Sequence, residues 1–254
     1  MTRAIGLAAL TVLELPPPEQ VSVAAQAGYT HVGLRLIPVA NQALPRFDPA
    51  EAERRLRDTG VRVLDVEVFR LAPETDVAAF EPVLATAQRL GATDLLAHGA
   101  DPDEARLRDR VAALCELAGK HGIAVSLEPM PWVEVSTVRK ARRVIDGTEA
   151  AVLVDAIHFY REDNTLEELK HVPHRYMQLC DAYPERPADM QEIIRQARGD
   201  RLFPGEGGLD LKGLLAALPP DLPISVEIPV ARKMSPVERA KKAMEATRKL
   251  LACA

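Results

Sequence analysis

Short apolar runs recur along the chain and alternate with stretches whose apolar residues fall at helical spacing. Eight of the runs read as strands: Ile5 to Ala9, His31 to Leu36, Val61 to Phe69, Leu95 to Ala97, Ala124 to Leu127, Val152 to Val154, Tyr176 to Leu179 and Ile224 to Glu227. Runs this short and this apolar belong to a parallel sheet covered on both faces. The stretches between them read as helices. Asp76 to Leu90 is amphipathic, with Asp76 placed to cap its start, and Ser235 to Leu251 closes the chain. Gly28, Gly60, Gly91 and Gly122 each stand between a helix-like stretch and a strand-like one. There a glycine supplies the left-handed backbone that ends a helix, and spacings of about 30 residues match one βα unit.

Eight alternating units in 254 residues predict a single (β/α)8 barrel over residues 1–254, since such a barrel takes about 250 residues. An open doubly wound sheet would carry a glycine-rich phosphate turn after an early strand, and neither GxGxxG nor GxxxxGK[ST] occurs. The stretch from Asp181 to Asp210 is too long for a plain connection and is expected to hold a helix, Ala188 to Ala197, and an active-site loop.

The last four strands share a feature that burial alone does not favour. Each ends on or beside an oxygen-bearing side chain: Glu128, Asp155, Gln178 and Glu227. An unpaired carboxylate in a low-dielectric interior is costly, so four in succession imply a common partner. In a barrel the carboxyl ends of the strands converge on the mouth where chemistry sits. Three carboxylates and an amide oxygen form an all-oxygen site suited to one divalent cation, Mn²⁺ or Mg²⁺, with Co²⁺ or Zn²⁺ less suited. The competing reading is four separate strand-end residues solvated by loops.

Charge and composition narrow the partners. A net charge of -5 and the lack of a basic face give no footprint for nucleic acid or an anionic membrane, and no apolar stretch approaches the roughly 20 residues of a membrane span. Cys115, Cys180 and Cys253 show neither metal-type spacing nor an even count, and the N-terminus lacks the apolar core of a signal peptide. These features predict a cytoplasmic protein.

The segments Leu127-Glu-Pro-Met-Pro-Trp132, Val154-Asp-Ala-Ile-His-Phe-Tyr-Arg161, Met177-Gln-Leu-Cys-Asp181, Phe203-Pro-Gly-Glu-Gly-Gly-Leu-Asp210 and Val226-Glu-Ile-Pro229 resemble the motifs of the xylose isomerase-like barrels. That group includes sugar phosphate isomerases and epimerases, enzymes of the tagatose 3-epimerase type, and endonuclease IV. The resemblance implies that Glu128, Asp155 and Glu227 are metal ligands and that His158 contacts substrate. Many members carry histidine where this chain has Gln178. Glutamine there is similar to the 3-dehydroshikimate dehydratase branch, in which the amide oxygen completes the metal site. An endonuclease would need further histidines and a basic DNA-binding face.

Other residues are candidates for the substrate side. His158 can act as a general base or bond a substrate hydroxyl. Alternation along strand three puts Asp65, Glu67 and Phe69 on one face and Val66, Val68 and Arg70 on the other. Glu67 and Arg70 are then candidates for substrate contact, a buried Glu67–arginine pair being the alternative. Arg201 can bind a carboxylate or phosphate over the mouth, unless it is a solvated loop residue. Trp132 can wall an apolar pocket or pack in the core, and His98 at the end of strand four is a weaker candidate. The remaining histidines are assigned no role.

These parts predict a metal-dependent isomerase or epimerase acting on a sugar, sugar phosphate or related polyhydroxylated keto compound through an enediolate, with Glu128, Glu227 or His158 moving the proton. Expulsion of a β-hydroxyl from the same enolate would make the enzyme a lyase of the 3-dehydroshikimate dehydratase type. A catalytically silent binding subunit is the third reading. The expected partner is a small keto or polyol substrate, and a homo-oligomer is compatible with the sequence.

Overall fold

The strands that the hydrophobic pattern predicts pair in sequence order and close on themselves. The computed structural model describes residues 3–38, 44–230 and 234–253. The strands are β1 (Ile5–Leu7), β2 (His31–Arg35), β3 (Arg62–Leu71), β4 (Asp94–Gly99), β5 (Ala124–Leu127), β6 (Ala151–Val152), β7 (Val154–Asp155), β8 (Met177–Leu179) and β9 (Ile224–Val226). All pairings are parallel, in the order β6-β5-β4-β3-β2-β1-β9-β8-β7. The two ends of that order come from one run. β6 pairs with β5 and β7 with β8, so the segment 151–155 passes the ladder from one neighbour to the next at Leu153. The result is a (β/α)8 barrel surrounded by helices.

Two expectations about strand limits are corrected. The first strand stops at Leu7, and Ala9–Val12 forms a 3-10 turn instead. In β3 the simple alternation fails, because the pairing register shifts between Val66 and Phe69. Glu67, Val68 and Arg70 therefore line one cavity, while Val66 and Phe69 lie in the apolar layer under the helices. Glu67 and Arg70, expected on opposite faces, are brought to the same side.

The helices are α1 (Pro17–Gln26), α2 (Pro49–Thr59), α3 (Glu81–Arg89), α4 (Glu104–Lys120), α5 (Val138–Ile145), α6 (Ala156–Tyr160), α7 (Leu166–Leu169), α8 (Met190–Gly199), α9 (Leu211–Ala217) and α10 (Pro236–Leu251), of which α3, α6 and α8 matter for the site. The amphipathic stretch from Asp76 is split. Asp76 accepts a hydrogen bond from Ala78 N at 3.0 Å and caps a 3-10 turn, and α3 restarts with Pro82 in its first turn, where the missing N–H costs nothing. Helix α8 falls where the long stretch after Asp181 was expected to carry one, capped by Asp189. Gly28, Gly60, Gly91 and Gly122 all have φ between 70° and 80°, as the punctuation predicts.

Most apolar burial lies between the strands and the surrounding helices. The barrel interior is filled by a smaller set, Leu64, Leu96, Leu153 and Tyr176, with Val68 against them. This plug stands below the mouth. Truncating such a fully buried leucine to alanine costs about 2–5 kcal/mol. Among the described residues, no helix is long and apolar enough to cross a membrane.

Candidate metal centre

The polar residues at the ends of the last four strand positions converge. Glu128 follows β5, Asp155 ends β7, Gln178 lies in β8 and Glu227 follows β9, and all four are buried. Asp155 also caps α6, accepting from Ile157 N at 2.9 Å through Oδ1. Because α6 starts at that cap, His158 lies three residues on and returns to the same face. The backbone around Glu227 is held by Thr11, whose hydroxyl donates to Val226 O and accepts from Ile228 N, both at 2.9 Å.

His158 Nε2 stands 3.8 Å from Glu128 Oε1 and 3.9 Å from Asp155 Oδ2. The donor atoms of Glu128, Asp155 and His158 all lie within 4.8 Å of one another, and these three buried residues could hold a divalent metal ion. The sequence reading placed His158 beside the ligands but did not group it with them. Gln178 and Glu227 adjoin the trio. Gln178 Nε2 donates to Glu227 Oε1 at 3.1 Å, and its amide oxygen is buried with no partner.

Arg201 is not a solvated loop residue and does not reach over the mouth. It is buried among the carboxylates, with Nη1 2.6 Å from Asp155 Oδ2 and Nη2 2.8 Å from Glu227 Oε2. Its Nε donates to Ala197 O and its backbone N–H to Pro229 O. The loop that carries it is anchored by Asp181, whose carboxylate accepts from the backbone N–H groups of Ala182, Gly205, Gly207 and Leu209.

Charge bookkeeping at this centre favours a cation. Glu128, Asp155 and Glu227 face one guanidinium, Arg201, so three carboxylates share a single positive charge. Burial, joined by Asp155 and Glu227, pushes Glu128 well above the usual carboxylate range. Burial and the nearby Glu67 and Asp155 push Glu227 up to about 8, against the pull of Arg201. Burial would raise Asp155 too, but Arg201, His158 and the Ile157 N–H hold it below its ordinary value. Burial lowers His158 to about 4, so its imidazole is neutral at pH 7 and free to act as ligand or base. The orphaned Gln178 oxygen and the crowded carboxylates fit a divalent ion.

Beside the centre opens a cavity of about 1050 Å³, whose lining includes Glu128, His158, Glu227 and Arg201 together with Glu67, Arg70, His98 and Trp132. Asp155 and Gln178 do not line it. Glu67 forms the buried pair that the sequence left open: Arg35 Nε and Nη2 donate to its Oε1 at 3.0 and 2.7 Å. Arg70 is exposed and meets Glu74 at 2.9 Å. Trp132 is half-buried and meets the His158 ring edge-to-face at 4.9 Å between centroids.

Three cavity or support residues escaped the sequence reading. Arg35 ends β2 and follows the same strand-end rule as the carboxylates, so a search for polar strand ends of either sign would have found it. Thr11 and Arg198 act through contacts between distant segments and leave no local signal.

A closed parallel barrel with buried carboxylates at its mouth defines a class of metal-site barrels. A family model described as "Xylose isomerase-like TIM barrel" matches residues 21–250, and the chain belongs to that family. It is 26% identical over 223 residues to a 3-dehydroshikimate dehydratase of Pseudomonas aeruginosa, a match that covers 78% of this chain but 33% of that protein. The chain thus spans about a third of that relative's length. Among solved structures it is similar to a zinc-bound IolI protein, with a TM-score of 0.81, 17% identity and 98% of each chain covered. It is also similar to a D-allulose 3-epimerase from Methylomonas sp. in complex with D-allulose, with a TM-score of 0.72, 19% identity and 98% of each chain covered. At these identities the two structures share the fold.

Proposed function

We propose that the protein is a metal-dependent isomerase or epimerase that removes the α-proton of a polyhydroxylated keto compound and returns it to another carbon or to the opposite face. The observation that carries this reading is the set of three buried carboxylates and a buried histidine gathered around one guanidinium, with Glu128, Glu227 and His158 lining an open cavity. In this reading Glu128, Asp155, Gln178 and Glu227 hold one divalent ion, Mn²⁺ or Mg²⁺, with His158 next to them. When bound, that ion supplies Lewis acidity to a carbonyl oxygen and the hydroxyl beside it.

The protein's own groups do the proton handling. Glu128, Glu227 and His158 face the cavity, so each can reach a substrate carbon, whereas Asp155 and Gln178 serve only from behind. A carboxyl raised towards neutrality, such as Glu227, both accepts and returns a proton near pH 7. Arg201 holds Asp155 in place and steadies Glu227 while the charge of Glu227 changes. Trp132 walls one side of the cavity, and Glu67 and Arg70, which also line it, would meet substrate hydroxyls or charge.

The test is exchange of substrate protons with deuterated solvent by Mn²⁺-loaded protein, across a panel of ketoses, ketose phosphates and 3-dehydroshikimate. Exchange that stops on chelation is the expected result. No exchange with any member of the panel, in protein shown to hold metal, would refute enolisation.

A second reading has its own support. The amide oxygen of Gln178 is orphaned where many barrels of this kind use histidine, and the Pseudomonas aeruginosa relative is a 3-dehydroshikimate dehydratase. On that reading the same enolate expels a β-hydroxyl. Turnover of 3-dehydroshikimate alone, with loss of water, would select the lyase.

A further inference from the structure

Four arginines line the cavity, and they are not equally satisfied. Arg201 is committed to Asp155 and Glu227, and Arg35 to Glu67. Arg70 meets only Glu74, in a pair whose side chains are 54% and 73% exposed; water screens such a contact and it holds the arginine weakly. Arg198, in the last turn of α8, has no carboxylate partner among the described residues. Its guanidinium instead lies over the Trp132 ring, 5.7 Å from the centroid. Asp76 and Glu134, which also line the cavity, are not among its ion-pair partners in the described residues.

A buried imidazole points into this cationic corner. His98 lines the cavity, is 7% exposed, and its Nδ1 has no hydrogen-bond partner. Burial, helped by the charges of Arg70, Arg198 and Arg35, lowers it to about 4, so it is a neutral donor or acceptor facing an excess of positive potential. A polar group that is buried without a partner is costly; Nδ1 itself is closed to solvent, so what the ring offers a ligand is the edge that lines the cavity.

We propose that Arg198, Arg70 and His98 form an anion-binding subsite on the cavity wall, so that the keto compound bears a carboxylate or phosphate group. The proposal rests on the functional reading above and narrows its substrate class to acidic ones. Trp132 sets the placement. It touches both the Arg198 guanidinium and the His158 ring, so the anionic group binds one indole away from the residue beside the metal centre. The flat guanidinium, already placed over the indole, can offer its N–H edge to a two-oxygen acceptor.

Trp132 is the chain's one tryptophan and reports on the subsite directly. Metal-loaded protein is titrated with D-gluconate, with D-glucitol as its uncharged counterpart, and with inorganic phosphate, followed by Trp132 fluorescence and by calorimetry. Gluconate is expected to bind at least about tenfold more tightly than glucitol, as one charge-assisted contact implies. Arg198→Gln should erase that preference, and Arg198→Lys should keep part of it. Phosphate that displaces gluconate at lower concentration assigns a phosphate ester; phosphate that fails to displace it assigns a carboxylate. Equal binding of gluconate and glucitol by the wild type overturns the proposal, and so does unchanged gluconate binding in Arg198→Gln. Mn²⁺ titration of each variant separates the two readings. Protein that binds Mn²⁺ and exchanges protons but ignores charge loses the subsite alone, whereas protein that binds anions at Arg198 without Mn²⁺ loses the metal-dependent reading alone.

Discussion

Arg201 Nη1 stands 2.6 Å from Asp155 Oδ2, and this contact, together with the Ile157 N–H, pulls Asp155 towards its ionised form. Asp155 is held below its ordinary range while Glu128 and Glu227 are pushed above theirs. A guanidinium inside a carboxylate cluster supplies part of the positive charge that three buried carboxylates call for.

Removing that guanidinium should therefore be costly and partly reversible. Arg201→Met keeps the apolar stem and leaves Asp155 and Glu227 without their buried partner, a change that costs about 3–5 kcal/mol. Melting temperature in chelator should fall sharply relative to the wild type. Saturating Mn²⁺ should recover more of the loss than it adds to the wild type, because the variant's cluster carries a larger uncompensated charge. Equal metal-induced shifts in the two proteins would mean that Arg201 and the metal do not share the same carboxylates.

Gln178 offers a sharper view of metal preference. Its amide oxygen is buried and unpartnered while its Nε2 donates to Glu227 Oε1 at 3.1 Å. In Gln178→His an imidazole nitrogen replaces that oxygen, and the metal order in reconstitution should shift towards Zn²⁺ or Co²⁺. An unaltered order with full activity would take Gln178 out of the ligand set.

The barrel and the floor of its mouth were legible in the sequence for one physical reason. A buried parallel strand is apolar throughout, so a carboxylate at its end stands out, and Glu128, Asp155 and Glu227 are each one strand-end residue. What was not legible depended on contacts that no local pattern encodes. The shift of β3 between Val66 and Phe69 puts Glu67 and Arg70 on one side. The burial of Arg201 follows from backbone bonds to Pro229 and from a loop tied to Asp181. Arg198 meets Trp132 only because α8 packs near the loop after β5, and helical periodicity says nothing about that neighbour.

His98 should leave a signature in the pH dependence of stability. Its folded-state value near 4 lies below the ordinary 6.5, so the unfolded chain takes up a proton first as pH falls. Stability contributed by neutral His98 is full above about pH 6.5 and is lost towards pH 4, at about 1.4 kcal/mol per pH unit between those limits. Denaturant melts of wild type and His98→Gln over that range, in chelator, isolate the effect, since His158 titrates alike in both. The variant should show the shallower slope. Parallel slopes would mean that His98 is as easily protonated folded as unfolded.

His158 carries the choice between base and ligand. Its Nε2 lies 3.8 Å from Glu128 Oε1 and 3.9 Å from Asp155 Oδ2, close enough to join them around an ion, yet its ring also lines the cavity beside Trp132. His158→Asn keeps a polar group and leaves all three carboxylates and Gln178 in place. If the imidazole moves the substrate proton or positions the substrate, kcat should fall by roughly 10²–10⁴-fold with metal content unchanged. Exchange of the α-proton with deuterated solvent then separates the two roles. It is lost if His158 is the base and retained if Glu128 or Glu227 is. Metal lost together with activity would put His158 in the coordination shell with Glu128 and Asp155, and the proton would then have to be taken by Glu227, the raised carboxyl that faces the cavity outside that trio.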